Sequence, residues 1–158
     1  MKLDLNNIAI NANSASSKKK FTLVEQLIML VMKSQGMSSA AMSCVVNRTK
    51  ASITYNFDSS KTREPKSGDY NKANLGWKLK YLEGDANSVF ESLIEGVSQD
   101  KLKGLVVSHF DNLKDVIIED TKIGKERSMT TDELKIRELV KEFFYQQFEI
   151  TEEVEQAG

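Results

Sequence analysis

The sequence predicts an α+β fold made of an N-terminal helix, a small antiparallel sheet of two or three strands with a long loop, and then three amphipathic helices. Two observations support this prediction. Near both ends of the chain apolar residues recur every three or four positions, as on one helix face, whereas segments between them alternate every second residue. With one proline and eight glycines in 158 residues, the chain has few breakers, which favours regular elements.

The first helix is predicted over residues 22–34. Apolar side chains from Leu23 to Val31 follow helical spacing, and Gly36 stands where a helix C-terminus is often closed by glycine. Residues 1–20 are polar and have no periodicity, so we expect a flexible basic arm there. Residues 21–148 are expected to form a single domain, and residues 149–158 an acidic tail.

The pentapeptide FTLVE at the start of this helix, Phe21–Glu25, resembles the first residues of a mature type IV pilin. That resemblance implies a membrane-spanning helix of about 20 apolar residues, preceded by a glycine at the processing site. This chain has Lys20 before the pentapeptide and Lys33 and Gln35 after it. We therefore predict an amphipathic core helix and no membrane contact. The N-terminus lacks a secretion-signal pattern, which favours a cytoplasmic location.

The sheet is predicted in the middle of the chain, over AAMSCVV (40–46), ASITYNF (51–57) and LGWKLKYL (75–82). In the second segment apolar and aromatic residues alternate with polar ones from Ile53 to Phe57. In the third, Lys78 and Lys80 alternate with aromatic and apolar residues and are expected on the outer face of a strand. The first segment could instead extend the first helix. Residues 58–74 form a polar loop of unusual length.

Three amphipathic helices are predicted in the second half. Asp85, Ser98 and Thr130 are residue types that commonly cap a helix N-terminus, and each precedes apolar residues at spacings of three and four. Thr130 and Glu133 also have the spacing of a capping box. The apolar stripe after Ser98 continues to Ile117, while residues 121–129 are expected to form a connector.

The sequence argues against an enzyme. A single histidine, His109, and a single cysteine, Cys44, exclude a multi-histidine metal site, an intramolecular disulfide and a cysteine zinc cluster within one chain. Neither a glycine-rich phosphate loop nor a Gly-x-Ser-x-Gly motif is present. His109 lies on an apolar helix stripe and Cys44 among small apolar residues, so both are interpreted as structural. No cofactor or metal is expected.

Charge is divided between the two halves of the chain. Residues 1–82 hold thirteen basic and five acidic side chains, whereas residues 83–158 hold nine basic and eighteen acidic ones. A basic half favours contact with nucleic-acid phosphates, because each neutralised phosphate releases counterions. The acidic half could instead mask the basic one, or meet the basic half of a second copy in a homo-oligomer.

The sequence therefore predicts a small non-enzymatic accessory protein that binds nucleic acid or a nucleic-acid–protein complex. The expected contacts are the cations of the arm, loop and third strand with one loop tyrosine: Lys18, Lys19, Lys20, Lys61, Arg63, Lys66, Tyr70, Lys72, Lys78 and Lys80. Trp77 and Tyr81 could stack on bases or pack on the helices. The alternative is a protein-binding adaptor, inhibitor or assembly subunit with no nucleic-acid role.

Overall fold

The computed structural model describes residues 20–66, 73–119 and 125–151. These residues form seven α-helices and one two-stranded antiparallel sheet, which confirms the broad α+β class. The elements in chain order are α1 Leu23–Ser34, α2 Ser39–Val46, α3 Lys50–Asn56, α4 Leu75–Tyr81, α5 Ala86–Ile94, α6 Gln99–Asp111, β1 Val116–Ile118, β2 Glu126–Ser128 and α7 Thr131–Gln147. A short 3-10 turn, Ser59–Lys61, follows α3. The predicted arm and acidic tail lie mostly outside the described residues.

The three segments predicted as strands are helices, so this prediction was wrong. Each has a polar N-cap: the side chains of Ser38, Thr49 and Asn74 accept the backbone N–H three residues further on, at 3.1, 3.1 and 2.9 Å. Such a cap satisfies one of the N–H groups that a helix start leaves without a partner. In segments of seven or eight residues, alternation of polar and apolar side chains does not distinguish a strand from a short helix.

The sheet lies in the second half of the chain rather than in the middle. Its register pairs Val116 with Ser128 and Ile118 with Glu126. Sequence analysis had placed Val116 and Ile117 on the stripe of a helix, but α6 ends at Asp111 and Asn112 is its C-cap. Ile117 is nevertheless buried in the core, at 8% exposed. It is buried as a residue of a strand and not as a residue of a helix.

The core is built around α1, whose side chains are buried on most of its surface. Leu27, Ile28 and Met29 are fully buried. Helices α2, α5 and α6 pack against α1, and α7 covers α2 and places Phe144 in the core. A helix enclosed on most sides needs apolar residues around most of its circumference, which accounts for the dense apolar run in α1. No helix among the described residues is long and apolar enough to cross a membrane.

Candidate nucleic-acid interface

Helices α2 and α3 are joined by a turn of three residues, Asn47–Thr49, and we call this unit, residues 39–56, the helix-turn-helix unit. Asn47 adopts a left-handed conformation, with φ 47° and ψ 48°, which is uncommon for residues other than glycine. Its side chain forms three hydrogen bonds with Lys114 and with Val116, the first residue of β1. Oδ1 accepts from the Lys114 N–H at 2.7 Å, and Nδ2 donates to the Lys114 and Val116 carbonyls at 3.1 and 3.2 Å. The turn is therefore attached to the sheet.

Arg48, in the same turn, forms a buried ion pair with Glu25 of α1. Its Nε donates to Glu25 Oε2 at 3.0 Å and its Nη2 to Oε1 at 2.8 Å, while Nη2 also donates to the Lys20 carbonyl at 2.9 Å. Both side chains are only 9% exposed. The guanidinium carbon lies 4.3 Å from the Phe21 ring centroid, within range of a cation–π contact. Arg48 thus holds the turn on α1 and is not a surface cation.

Arg137 of α7 contacts the last turn of α2. Its Nε donates to the Cys44 carbonyl at 3.0 Å, and its Nη2 to the Lys114 carbonyl at 2.7 Å. Its Nη1 pairs with Asp115 Oδ1 at 2.7 Å. Because α2 is in addition buried over Met42 to Val46, it serves as a rigid support for α3.

Helix α3 exposes one face. Its inward side chains are Ile53, fully buried, and Asn56, 8% exposed, whereas Lys50, Ala51, Thr54 and Tyr55 face outward. The outward residues border a shallow depression of about 450 Å³ together with residues of α2 and of the 3-10 turn; its full lining is Ser39, Lys50, Ala51, Thr54, Tyr55, Asp58 and Lys61. A polar, partly basic helix surface is thus presented to solvent.

The chain after α3 carries exposed cations and is held on α4 by two aromatic side chains. Trp77 Nε1 donates to the Thr62 carbonyl at 3.4 Å, and the Tyr81 hydroxyl donates to Glu64 Oε2 at 3.1 Å. The cations of this region are Lys61, Arg63, Lys66 and Lys80, all exposed. Lys80 Nζ lies 5.1 Å from the Trp77 ring centroid. Trp77 is half-buried and Tyr81 is 41% exposed, so part of each ring remains accessible.

Two carboxylates lie among these cations, and both accept hydrogen bonds. Asp58 Oδ1 accepts from the Ser60 hydroxyl at 2.6 Å and from the Ser60 N–H at 2.9 Å, and these bonds lower the pKa of Asp58. Glu64 Oε2 accepts from the Tyr81 hydroxyl at 3.1 Å. Residues 50–66 hold four basic and two acidic side chains, so the region keeps a positive excess.

Lys78 does not lie where sequence analysis placed it. The predicted strand is helix α4, and Lys78 is on its inward side, only 4% exposed, with Nζ donating to the Ala73 carbonyl at 2.9 Å. Burial lowers its pKa. Lys20 and Lys80 are exposed. The remaining predicted contacts, Lys18, Lys19, Tyr70 and Lys72, lie outside the described residues.

Sequence analysis missed the outward face of α3. Thr54 and Tyr55 were read as alternate positions of a strand, which would place them on opposite sides. A signal was nevertheless present, because Ser38 and Thr49 are both N-cap residue types and Asn47 between them tolerates a left-handed turn. Two caps eleven residues apart with such a residue between them indicate two short helices.

Comparison with known proteins adds no family to this description. No protein-family model, curated protein or solved structure matches the chain. Among the described residues, no group of three or more His, Cys, Asp and Glu side chains is placed to hold a metal ion.

His109 is structural in its contacts and should make stability depend on pH. Its Nε2 lies 2.8 Å from the Val45 carbonyl of α2, so this nitrogen carries the hydrogen, and burial lowers the pKa of the imidazole. The unfolded chain then binds a proton more readily than the folded one. We expect the free energy of unfolding to fall as pH drops below about 6.5, as urea titrations between pH 8 and 5 would measure.

His109→Gln keeps a donor near Val45 and should flatten this pH dependence. Glu133 affects stability in a separate, more acidic pH range, because its hydrogen bonds with Arg127 lower its pKa from 4.5 to about 2. The stability that Glu133 contributes is complete above pH 4.5 and is lost only as pH falls toward 2. If the free energy of unfolding of His109→Gln depended on pH between 8 and 5 as steeply as that of the original protein, a group other than His109 would be responsible for the pH dependence.

Proposed function

We propose that the protein binds nucleic acid, alone or within a nucleic-acid–protein complex, through a surface formed by Lys61, Arg63, Lys66 and Lys80, called the basic surface below. What supports the proposal is the exposure of all four cations on α4 and on the chain between α3 and α4. Cations on a surface neutralise phosphates and release counterions, which supplies affinity for any sequence.

Within the described residues, no cation of the basic surface takes part in an ion pair. The ion pairs there include those of Arg48, Lys114, Arg127 and Arg137. The backbone that carries Lys61 and Arg63 is held in place, since Tyr55 donates to the Lys61 carbonyl at 3.2 Å and Trp77 to the Thr62 carbonyl at 3.4 Å. Holding the backbone reduces the entropy that binding would cost.

The test is charge reversal at Lys61 and Arg63. Fluorescence anisotropy with labelled single-stranded DNA, duplex DNA and RNA should show at least about tenfold weaker binding by Lys61→Glu/Arg63→Glu for all sequences. The slope of log affinity against log salt should become shallower by about 1.5–2, because two phosphate contacts are lost. Lys101→Glu/Lys135→Glu reverses two exposed cations on α6 and α7 and is the matched control. An unchanged slope in the first variant would contradict the proposal.

A second candidate role, as an assembly subunit, is favoured by the outer face of α7. Leu139 is 63% exposed and Phe143, one turn further along the same face, is 45% exposed. Lys135 and Glu142 flank these residues, so in an antiparallel pair of α7 helices each lysine would face the glutamate of a second copy. If no nucleic acid binds, sedimentation velocity should show dimers that Leu139→Glu dissociates; a monomer at all concentrations would exclude this role.

A further inference from the structure

We infer that the helix-turn-helix unit recognises double-stranded DNA, with α3 lying in the major groove. The inference rests on the proposed function and narrows it from nucleic acid in general to duplex DNA. It combines three observations: a buried supporting helix, a short turn fixed on two sides, and an exposed helix beside a basic surface.

Helices α2 and α3 differ in their exposure to solvent. Helix α2 is buried and packs against α1, α3, β1 and α7, whereas α3 packs mainly on α2 and leaves Lys50, Thr54 and Tyr55 outward. A helix covered by three helices and a strand cannot enter a groove, but it can hold the next helix away from the body of the protein. In helix-turn-helix proteins the first helix supports the second in this way.

The turn between them is the second step. Glu25 and Phe21 hold Arg48 on one side, and the segment before β1 holds Asn47 on the other. A turn with contacts on both sides fixes the direction of α3 relative to the domain. Reading of base edges requires such a fixed direction, because misplacement by about 1 Å breaks hydrogen-bond geometry.

The third step is the match to duplex DNA. A helix with its side chains is about 10–12 Å across, and the major groove of B-DNA is about 12 Å wide. The major groove of duplex RNA is too deep and narrow for a helix, so duplex RNA does not fit. Cations border α3 at both ends: Lys50 is its first residue, while Lys33 Nζ lies 5.2 Å from the Phe57 ring that follows it. Lys33 is thereby placed to meet a phosphate at the edge of the groove.

The outward side chains of α3 include groups that distinguish bases. An amine such as that of Lys50 donates to guanine O6 and N7, and a threonine such as Thr54 contacts either base edges or the thymine methyl group. Tyr55, half exposed, donates to the Lys61 carbonyl at 3.2 Å and so connects α3 with the basic surface. Lys50 and Thr54 are therefore assigned to sequence reading, and Lys61 and Arg63 to phosphates.

The experiment selects bound sequences from a random duplex DNA library with the full-length protein. The selected duplex is then compared with its separate strands and with duplex RNA of the same sequence. We expect duplex DNA to bind at least about tenfold more tightly than either competitor. Lys50→Ala/Thr54→Ala should weaken binding to the selected duplex by about 5- to 100-fold while changing the affinity for unrelated duplex much less.

Two controls separate sequence reading from phosphate binding. Lys101→Ala/Thr131→Ala makes the same exchanges at exposed positions of α6 and α7 and should leave binding unchanged. Lys61→Glu/Arg63→Glu should weaken selected and unrelated duplexes alike. Binding of single strands or RNA as tightly as duplex DNA, or a Lys50/Thr54 variant no weaker than its control, overturns the inference but leaves the proposed function. Absence of binding to every nucleic acid at low salt overturns both.

Discussion

Replacing Glu25 by alanine is expected to lower the free energy of unfolding by about 3–5 kcal/mol, because removing one partner of a buried ion pair leaves the other charge uncompensated. The Arg48 side chain is only 9% exposed, and Glu25 supplies acceptors for both its Nε and its Nη2. Glu25 also accepts the Thr22 N–H at 2.8 Å, which completes the capping box of α1. Chemical denaturation monitored by circular dichroism measures the loss.

Two further variants divide this loss into its parts. Thr22→Ala removes the side-chain half of the capping box and should cost about 1 kcal/mol. Glu25→Ala/Arg48→Met removes both charges and should recover a substantial part of the stability, since a buried pair replaced by apolar groups is often nearly neutral. A double variant no more stable than Glu25→Ala, or a Thr22→Ala loss as large as that of Glu25→Ala, would show that the ion pair is not the cause.

Gly76→Ala is expected to destabilise the protein by about 3 kcal/mol, although Gly76 lies in a helix where alanine is intrinsically favoured. A Cβ at this position would lie 2.5 Å from the Phe57 carbonyl oxygen and 2.7 Å from the Ser59 nitrogen. Both are backbone atoms, so relief requires α4 to move away from the chain that leaves α3. Thermal and urea denaturation would measure the effect.

Gly104→Ala is the matched control for this prediction. Gly104 also lies within a helix, α6, but a Cβ there meets nothing within 4 Å. The exchange should therefore raise the free energy of unfolding by about 0.5–1 kcal/mol, through the loss of backbone freedom in the unfolded chain. If both variants were stabilised equally, the close approach of α4 to the end of α3 would be wrong.

The starts of four helices could be predicted from the sequence, because each depends on residues close together in the chain. Asp85, Ser98 and Thr130, the predicted caps, are N-caps in the structure, and Thr130 forms the predicted capping box with Glu133. Thr22, predicted as the first helical residue, is the N-cap of α1. A cap depends on a side chain and backbone groups within a few residues, all of which are adjacent in the sequence. The same locality explains why the broad helical content was predictable.

The middle of the chain was misread because its pattern is ambiguous over short distances. From Ile53 to Phe57 every second residue is apolar, which suits a strand, yet tertiary packing uses Ile53 and Asn56, three apart, as the inward side of α3. Lys78 was likewise assigned to solvent because it alternates with Trp77 and Leu79 as in a strand, but it lies on the inward side of α4. Segments of seven residues make too few turns for periodicity to decide.

By itself the sequence determined the starts of α1, α5, α6 and α7 and the basic character of the first half, since each follows from neighbouring residues or from composition. Only the tertiary structure decided that Arg48 is buried against Glu25, that Asn47 bonds to Lys114, 67 residues away, and that α3 has an exposed face. These depend on which distant segments pack together. Packing between distant segments follows from the balance of all contacts in the core, so it cannot be predicted from any short segment of the sequence.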